Sequence, residues 1–301
     1  MSTGPVLEIL TPSYRPDLGL CRDLNASVLA HGDAGTRHRV VVPRRDRALV
    51  RDLAGPRTTV ETSQRYLPRS FVPVPGNLHV NVRRPVPPVR GWVSQQVVKL
   101  AATAASDADL VVVADSDLVF VRPFGLETFR RDGVPLLYRL EDGVHDGLPR
   151  HVQWHRTARR VLGLPDDVSA PLPDYICWPC AWEPSVVRRL LAHVESVHRR
   201  PWQTTLAGCL HLSEMIVYGV FVDEVLGGSD AVTSRMHCLR HTHETAFDRG
   251  ALDEFLSGLR PDDLSVMISA KSGTDEAARR TALAAVVHDG AATGPKGAEG
   301  P

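Results

Sequence analysis

Two aspartates one residue apart, Asp115 and Asp117, are the most chemically loaded feature of this sequence. They stand directly behind the apolar run Leu110-Val111-Val112-Val113-Ala114. Carboxylates this close repel each other unless a cation or a strong set of donors offsets the charge. Mg²⁺ or Mn²⁺ is the natural cation, because each takes hard carboxylate oxygens together with phosphate oxygens of a ligand. The bland alternative is a solvated turn, since Asp-Ser-Asp is ordinary loop composition. The apolar run favours the functional reading, because parallel α/β sheets bind ligands at the carboxyl ends of their strands.

Such a site needs a sheet to carry it, and the opening of the chain reads as one. Val6 to Leu10 reads as a buried strand, stopped by the turn residues Thr11-Pro12-Ser13-Tyr14-Arg15-Pro16. Leu18 to His31 carries apolar residues at helical spacing, and His38 to Val42 reads as a second strand. This strand–helix–strand order starts a parallel sheet. Residues 52–90 are broken repeatedly by proline and are expected to form loops and short strands. Gly91 to Ala105 predicts a helix with Trp92, Val93, Gln96, Val97, Leu100 and Ala104 on one face. Leu110 to Ala114 has the wholly apolar character of a central parallel strand.

Further helices are expected over Val152 to Leu162, Ser185 to His198 and Ser213 to Leu226. Short strands are expected at Leu136 to Arg139, Thr233 to Leu239 and Val266 to Ile268. From about Asp289 the chain loses periodicity, and residues 289–301 are expected to be a disordered tail behind a single α/β domain over residues 1–288.

Composition excludes some functions. The 301 residues include 43% hydrophobic ones, enough for a sizeable core. The 35 basic and 35 acidic residues balance to a net charge of +0, which argues against a nucleic-acid binder. No stretch approaches a membrane span and Met1 to Leu10 has no secretory pattern, so a soluble, cytoplasmic protein is the expectation. The five cysteines are scattered and unlike a disulfide framework. Cys177-Trp178-Pro179-Cys180 is a C-x-x-C, but no second spaced pair accompanies it to make a zinc site, and no clear apolar strand leads into it as in a redox site.

The residues around the paired aspartates resemble a known family. Leu110 to Asp117 is similar to the strand and D-x-D motif of GT-A-fold glycosyltransferases. Gly91-Trp92, Gln95-Gln96 and Lys99-Leu100 resemble the helix before this motif in a poorly characterised bacterial group of glycosyltransferase-like proteins. Ser213-Glu214 with Tyr218-Gly219 resembles that group's S-E-x-x-x-Y-G segment, and the resemblance spans most of residues 6–270.

The resemblance implies a GT-A-like, mostly parallel central sheet flanked by helices and a metal-dependent transfer of sugar from a nucleotide-sugar, UDP- or GDP-linked, to an acceptor hydroxyl. The acceptor would be a polysaccharide, a lipid or a small natural product. Asp117 would coordinate Mn²⁺ or Mg²⁺, with Asp115 on the donor ribose or the metal. Thr11, Ser13 and Tyr14 would lie under the base, with Asp46 as a further base contact. Lys99 would meet phosphate or donor sugar, or be a surface lysine. A late histidine would complete the metal site; His237, His241 and His243 are available, and His241 is favoured because it follows the expected strand.

For an inverting reaction Glu214 would be the base that takes the acceptor proton; the alternative is a first-turn residue behind an N-cap at Ser213. Trp178, Trp182 and Trp202, with Asp174, His151, Trp154 and His155, could shape an acceptor pocket or belong to the core.

Two rivals remain at this level. One is a haloacid-dehalogenase-type phosphohydrolase with Asp115 as nucleophile and Asp117 as acid/base. In that family the motif lies on the first strand, an order this chain does not follow. The other is a non-catalytic nucleotide-sugar-binding protein.

Overall fold

The fold is that of a computed structural model, which describes residues 5–75, 78–83, 88–228, 232–233 and 236–292. Strand β1 (Leu7–Pro12) is followed by helix α1 (Leu18–His31), strand β2 (Arg37–Val42) and strand β3 (Thr58–Thr62). The proline-broken stretch gives the short strands β4 (Phe71–Val74), β5 (Leu78–Asn81) and β6 (Val89–Arg90). Helix α2 (Gly91–Ala104) then leads to β7 (Leu110–Val113) and β8 (Leu118–Phe120).

The middle of the chain is less regular. It carries the short strands β9 (Arg130–Arg131), β10 (Val134–Pro135), β11 (Leu137–Tyr138) and β12 (Leu140–Val144), then α3 (Pro149–Leu162) and β13 (Leu172–Asp174). Strand β14 (Cys180–Trp182) precedes α4 (Pro184–His198), α5 (Trp202–Ala207) and α6 (Glu214–Val220). The last elements are β15 (Val232–Thr233), β16 (Cys238–His241), α7 (Arg249–Ser257), β17 (Ser265–Ile268) and α8 (Glu276–Ala292).

The central sheet has five strands in the order β14-β7-β1-β2-β3. Strands β7, β1, β2 and β3 run parallel, and β14 closes the edge antiparallel to β7. The architecture is therefore a mixed α/β, Rossmann-like one with a mostly parallel sheet flanked by helices. The apolar run of β7 has the reason expected of it: Leu110, Val111, Val112 and Val113 are all buried, as a strand covered on both faces requires. Each such side chain contributes on the order of 1.5–3 kcal/mol of burial, an upper figure because unfolded chains are partly compact.

A second sheet, β16-β17-β8, stands beside the first. Residues 114–117 are thus a junction, with β7 ending in one sheet and β8 starting in the other. Ala114 still donates to the Leu10 carbonyl at 3.0 Å, and Leu118 N–H closes a turn onto the Asp115 carbonyl at 3.1 Å.

Several expectations change. Trp92 is not on the inward face of α2 but remains 36% exposed. On α4, whose spacing predicts Val186, Leu190, Val194 and Val197 inward, Leu190 and Val194 are buried with Val187, whereas Val186 is half-buried and Val197 exposed. The expected strand over Thr233 to Leu239 separates into β15 and β16, and residues 234 and 235 lie outside the described ones. Helix α6 ends at Val220 and passes into a π-helical turn over Phe221–Val225. Helix α8 continues to Ala292, four residues into the expected tail; residues 293–301 lie outside the described ones. Helices α5, α7 and α8 carry no sequence expectation, because α5 is short and α8 is alanine-rich around its whole circumference.

Candidate functional site

The junction places both aspartates at the carboxyl end of the central strand β7, and each is held differently. Asp115 faces Lys99, whose Nζ lies 2.9 Å from Asp115 Oδ1 and 3.0 Å from Glu214 Oε1. Lys99 projects from α2 into the interior and is 5% exposed. Burial disfavours its ammonium, but Asp115 and Glu214 outweigh that and hold its pKa above the ordinary lysine value. The Gln96 side chain ties the same region together: its amide donates to the Leu212 carbonyl at 3.0 Å, and its oxygen accepts from Glu214 N–H at 3.1 Å. The G-W-x-x-Q-Q-x-x-K-L helix and the S-E-x-x-x-Y-G segment therefore meet through Gln96, Lys99 and Glu214.

The rest of that segment is packing. Ser213 is the N-cap of α6, accepting from Ile216 N–H at 3.4 Å. Tyr218 stacks on Trp182 with ring centroids 5.6 Å apart. Gly219 leaves room for the Tyr175 ring, which any Cβ there would overlap. Glu214 is buried and paired with Lys99, so its carboxylate orients the ammonium that fixes Asp115. Work as a base would first have to break that pair.

Asp117 is supported from the second sheet. Its Oδ2 accepts from Ala270 N–H at 3.0 Å, and its carbonyl accepts from Ile268 N–H at 3.2 Å and from the Arg279 guanidinium. Arg279 is buried and also donates to the Ile268 carbonyl at 2.9 Å. Burial, with Asp115 adding to it, raises the Asp117 pKa. Asp17, just before α1, is a third carboxyl in the same field. Burial first, then Asp117 and Asp115, push it up to about 6. Nothing in the sequence marks Asp17, because it is brought near the motif only by the β1–α1 turn.

Beside the junction lies a cavity of about 440 Å³, at the carboxyl ends of β1 and β2. Ser13 and Tyr14 line it, and Ser13 Oγ lies 3.4 Å from the hydroxyl of Ser116, between the two aspartates. Arg90, Arg150 and Lys271 contribute positive charge to its walls, and Trp92 presents its exposed ring there. The Arg150 guanidinium lies 5.3 Å from the Trp92 ring and 4.9 Å from that of Trp154. The sequence offers a signal for Arg90 and Trp92, which flank the first residue of α2, but none for Arg150 or Lys271.

Three expected ligand contacts have other partners. Thr11 is fully buried under the cavity floor, with its Oγ1 3.0 Å from His38 Nε2. His38 Nδ1 meets Asn25 Oδ1 at 2.8 Å, and burial drives the histidine pKa down to about 3, so the ring is neutral. Asp46 is buried and accepts from Arg15 N–H at 3.2 Å, bracing the turn after β1 rather than facing the cavity. Lys99 belongs to the carboxylate cluster and is not a cavity wall.

The late histidines divide by position. His241 pairs with Ile268 at the end of the second sheet that also carries Asp117, with β17 between them. Its Nε2 donates to the Thr245 carbonyl at 2.9 Å and its ring packs 4.1 Å from Phe247, so it makes no contact with Asp117. His237 lies at the opposite end of that sheet, where its carbonyl accepts from Leu264 N–H. The His243 ring is 5.4 Å from His241 and exposed. Among the described residues no three His, Cys, Asp or Glu side chains converge as a metal-binding group.

Cys177 and Cys180 are buried free thiols, with Cys180 opposite Val113 in the central sheet. A hydrogen bond to Cys180, then burial, pushes the Cys177 thiol well above its usual range, which makes it a poor nucleophile. Trp182 and Trp202 are core residues. His155 is buried and donates to the Pro173 carbonyl at 2.8 Å.

The chain is a mixed α/β protein with a mostly parallel central sheet, and its paired carboxylates follow the carboxyl end of the central strand β7. The chain belongs to a family of unknown function (DUF6492), whose pattern it matches over residues 4–252. No match was found among curated proteins. Strand β17, Ala270 and Arg279, which support Asp117, lie beyond the matched span. No described helix is long and apolar enough to cross a membrane.

Proposed function

We propose that this chain is a glycosyltransferase of GT-A type that moves a sugar from a UDP- or GDP-linked donor to an acceptor hydroxyl. The single observation that carries the reading is the junction of the two sheets, where Asp115 and Asp117 stand at the carboxyl end of β7 and Ser116 between them meets Ser13, a wall residue of the cation-lined cavity. Ser13 and Tyr14 would bind the nucleoside at the end of β1, and Arg90, Arg150 and Lys271 would pair with its phosphates.

The donor set fits a hard divalent cation. Asp115 keeps 30% of its side chain exposed, and the mutual repulsion of the two carboxylates is relieved by positive charge. Asp117 and Asp115 would hold Mn²⁺ or Mg²⁺, with remaining ligands from the donor phosphates and water. When bound, the cation would offset charge on the departing diphosphate. Lys99 and Glu214 keep Asp115 in one orientation, so that little reorganisation is left for the reaction itself.

The test is donor binding by thermal shift with UDP-, GDP-, CMP- and dTDP-sugars, with and without Mn²⁺. One nucleotide class should raise the melting temperature only with metal; a ligand at 100 times its Kd contributes about 2.7 kcal/mol. Asp117→Ala should lose that shift while its circular dichroism stays native. A folded wild type indifferent to every donor, or a variant that keeps the metal-dependent shift, would refute the proposal.

A further inference from the structure

A second cavity, of about 470 Å³, opens between α3, the end of α4, α5 and strands β5 and β6. It is distinct from the cavity beside the aspartates but shares walls with it. On β6, Val89 lines this cavity and Arg90 the other; on α3, Gln153 and Thr157 line this one and Arg150 the other. Its volume falls in the range of small-molecule sites.

The lining has one sign of charge. Arg160 and Arg200 supply it, His198 and His211 stand on the same wall, and among the described residues no Asp or Glu lines the cavity. The guanidinium of Arg200 is positioned by its own Nε, which donates to Thr205 Oγ1 at 3.0 Å. Its two terminal nitrogens have no protein partner among the described residues. Arg160 is likewise held through Nε, 2.9 Å from Asp166, which does not line the cavity. The hydroxyl-bearing residues Thr157, Thr204 and Thr205 complete a polar wall. Arg200, whose charge has no carboxylate partner among the described residues, and Arg160, paired with Asp166 only outside the cavity, stand over hydroxyl donors, an arrangement that recognises phosphate or carboxylate oxygens.

We infer that this cavity is a binding site for a small, polar, anionic molecule carrying a phosphate or carboxylate group, held by Arg160 and Arg200. The site stands whether or not the neighbouring cavity takes a nucleotide-sugar. It also has a reporter. Cys209 is a free, half-buried thiol on the cavity wall, close enough to Arg160 and Arg200 to feel the charge of both.

The test titrates the full chain calorimetrically with inorganic phosphate and, separately, with malonate, so that the two arms distinguish the anion class. At least one should bind saturably to the wild type. Arg200→Gln, which removes an exposed side chain, should weaken that binding about tenfold or more, as losing a charge-assisted hydrogen bond does. Arg249→Gln, on α7 and in the lining of neither cavity, should leave it unchanged. Independently of any variant, the saturating anion should slow N-ethylmaleimide labelling of Cys209 in the wild type, read on the peptide by mass spectrometry. Absence of saturable binding by either anion, equal affinity in Arg200→Gln, an equal loss in Arg249→Gln, or Cys209 labelling indifferent to the anion would each overturn the assignment.

Discussion

Replacing Lys99 with methionine tests whether the Lys99–Asp115–Glu214 cluster organises the site. Methionine keeps the length of the side chain and removes the charge. The facing oxygens of Asp115 and Glu214 each lie within 3.0 Å of the same nitrogen, so they are no more than about 6 Å apart. At an effective dielectric of about 20, two unit charges at that separation repel by about 3 kcal/mol. Removing one partner of a buried ion pair costs about 3–5 kcal/mol by direct measurement in other proteins, which agrees.

The cost must also depend on pH. Without the ammonium, the folded variant retains a proton on one carboxyl to higher pH than the unfolded chain does. Its native state then binds more protons, and stability falls as pH rises. Wild-type Lys99, with its pKa held above the ordinary value, stays charged across the same range.

Urea denaturation should therefore show Lys99→Met destabilised by about 3–5 kcal/mol at pH 8 and by clearly less at pH 4. The double variant Lys99→Met/Glu214→Gln should recover part of the loss at pH 8, because it removes one of the facing charges. A deficit below about 1 kcal/mol at pH 8, or one equal at both pH values and unrelieved in the double variant, would refute the reasoning.

Two further expectations follow from buried or crowded groups. Asp17 has its folded-state pKa raised to about 6 from an ordinary 3.8, so the wild type loses stability as pH rises through about 6. Its side chain makes no capping bond at α1, so Asp17→Asn should match the wild type at pH 4 and exceed it at pH 8, by about 1 kcal/mol after allowing for solvent screening. Equal stability of the two proteins at both pH values would contradict this. Gly219→Ala would drive a methyl into the Tyr175 ring, whose hydroxyl is itself tied to Asp223 at 2.6 Å. Gly219 and Tyr175 are both buried, so a loss of about 1–3 kcal/mol in urea is expected, and a change within about 0.5 kcal/mol would show that the ring can move aside.

Much of the scaffold was legible because its signals are local. The apolar run Leu110 to Val113 fills a strand covered on both faces, and Leu18 to His31 matches α1 residue for residue. The prolines between residues 52 and 90 announced loops and short strands, and β3 to β6 are short. Trp92 misled because the periodicity of α2 cannot tell a core from a cavity rim, and a large aromatic ring fits either.

By itself, the sequence determined that a strand ends in two aspartates, that helix α2 precedes it and that Ser213 caps the helix of Glu214. Capping and strand patterning depend on residues within a few positions of each other. Only the tertiary structure decided what each of those groups touches. It turned Lys99 inward to join Asp115 and Glu214 across separations of more than a dozen and more than a hundred residues, and it buried Thr11 and Asp46 among other partners. It also brought Asp17 into the field of the motif and Arg279 beneath it. Contacts of that range carry no sequence signature, because long-range electrostatics and burial depend on distances in space that only the packing of the two sheets establishes.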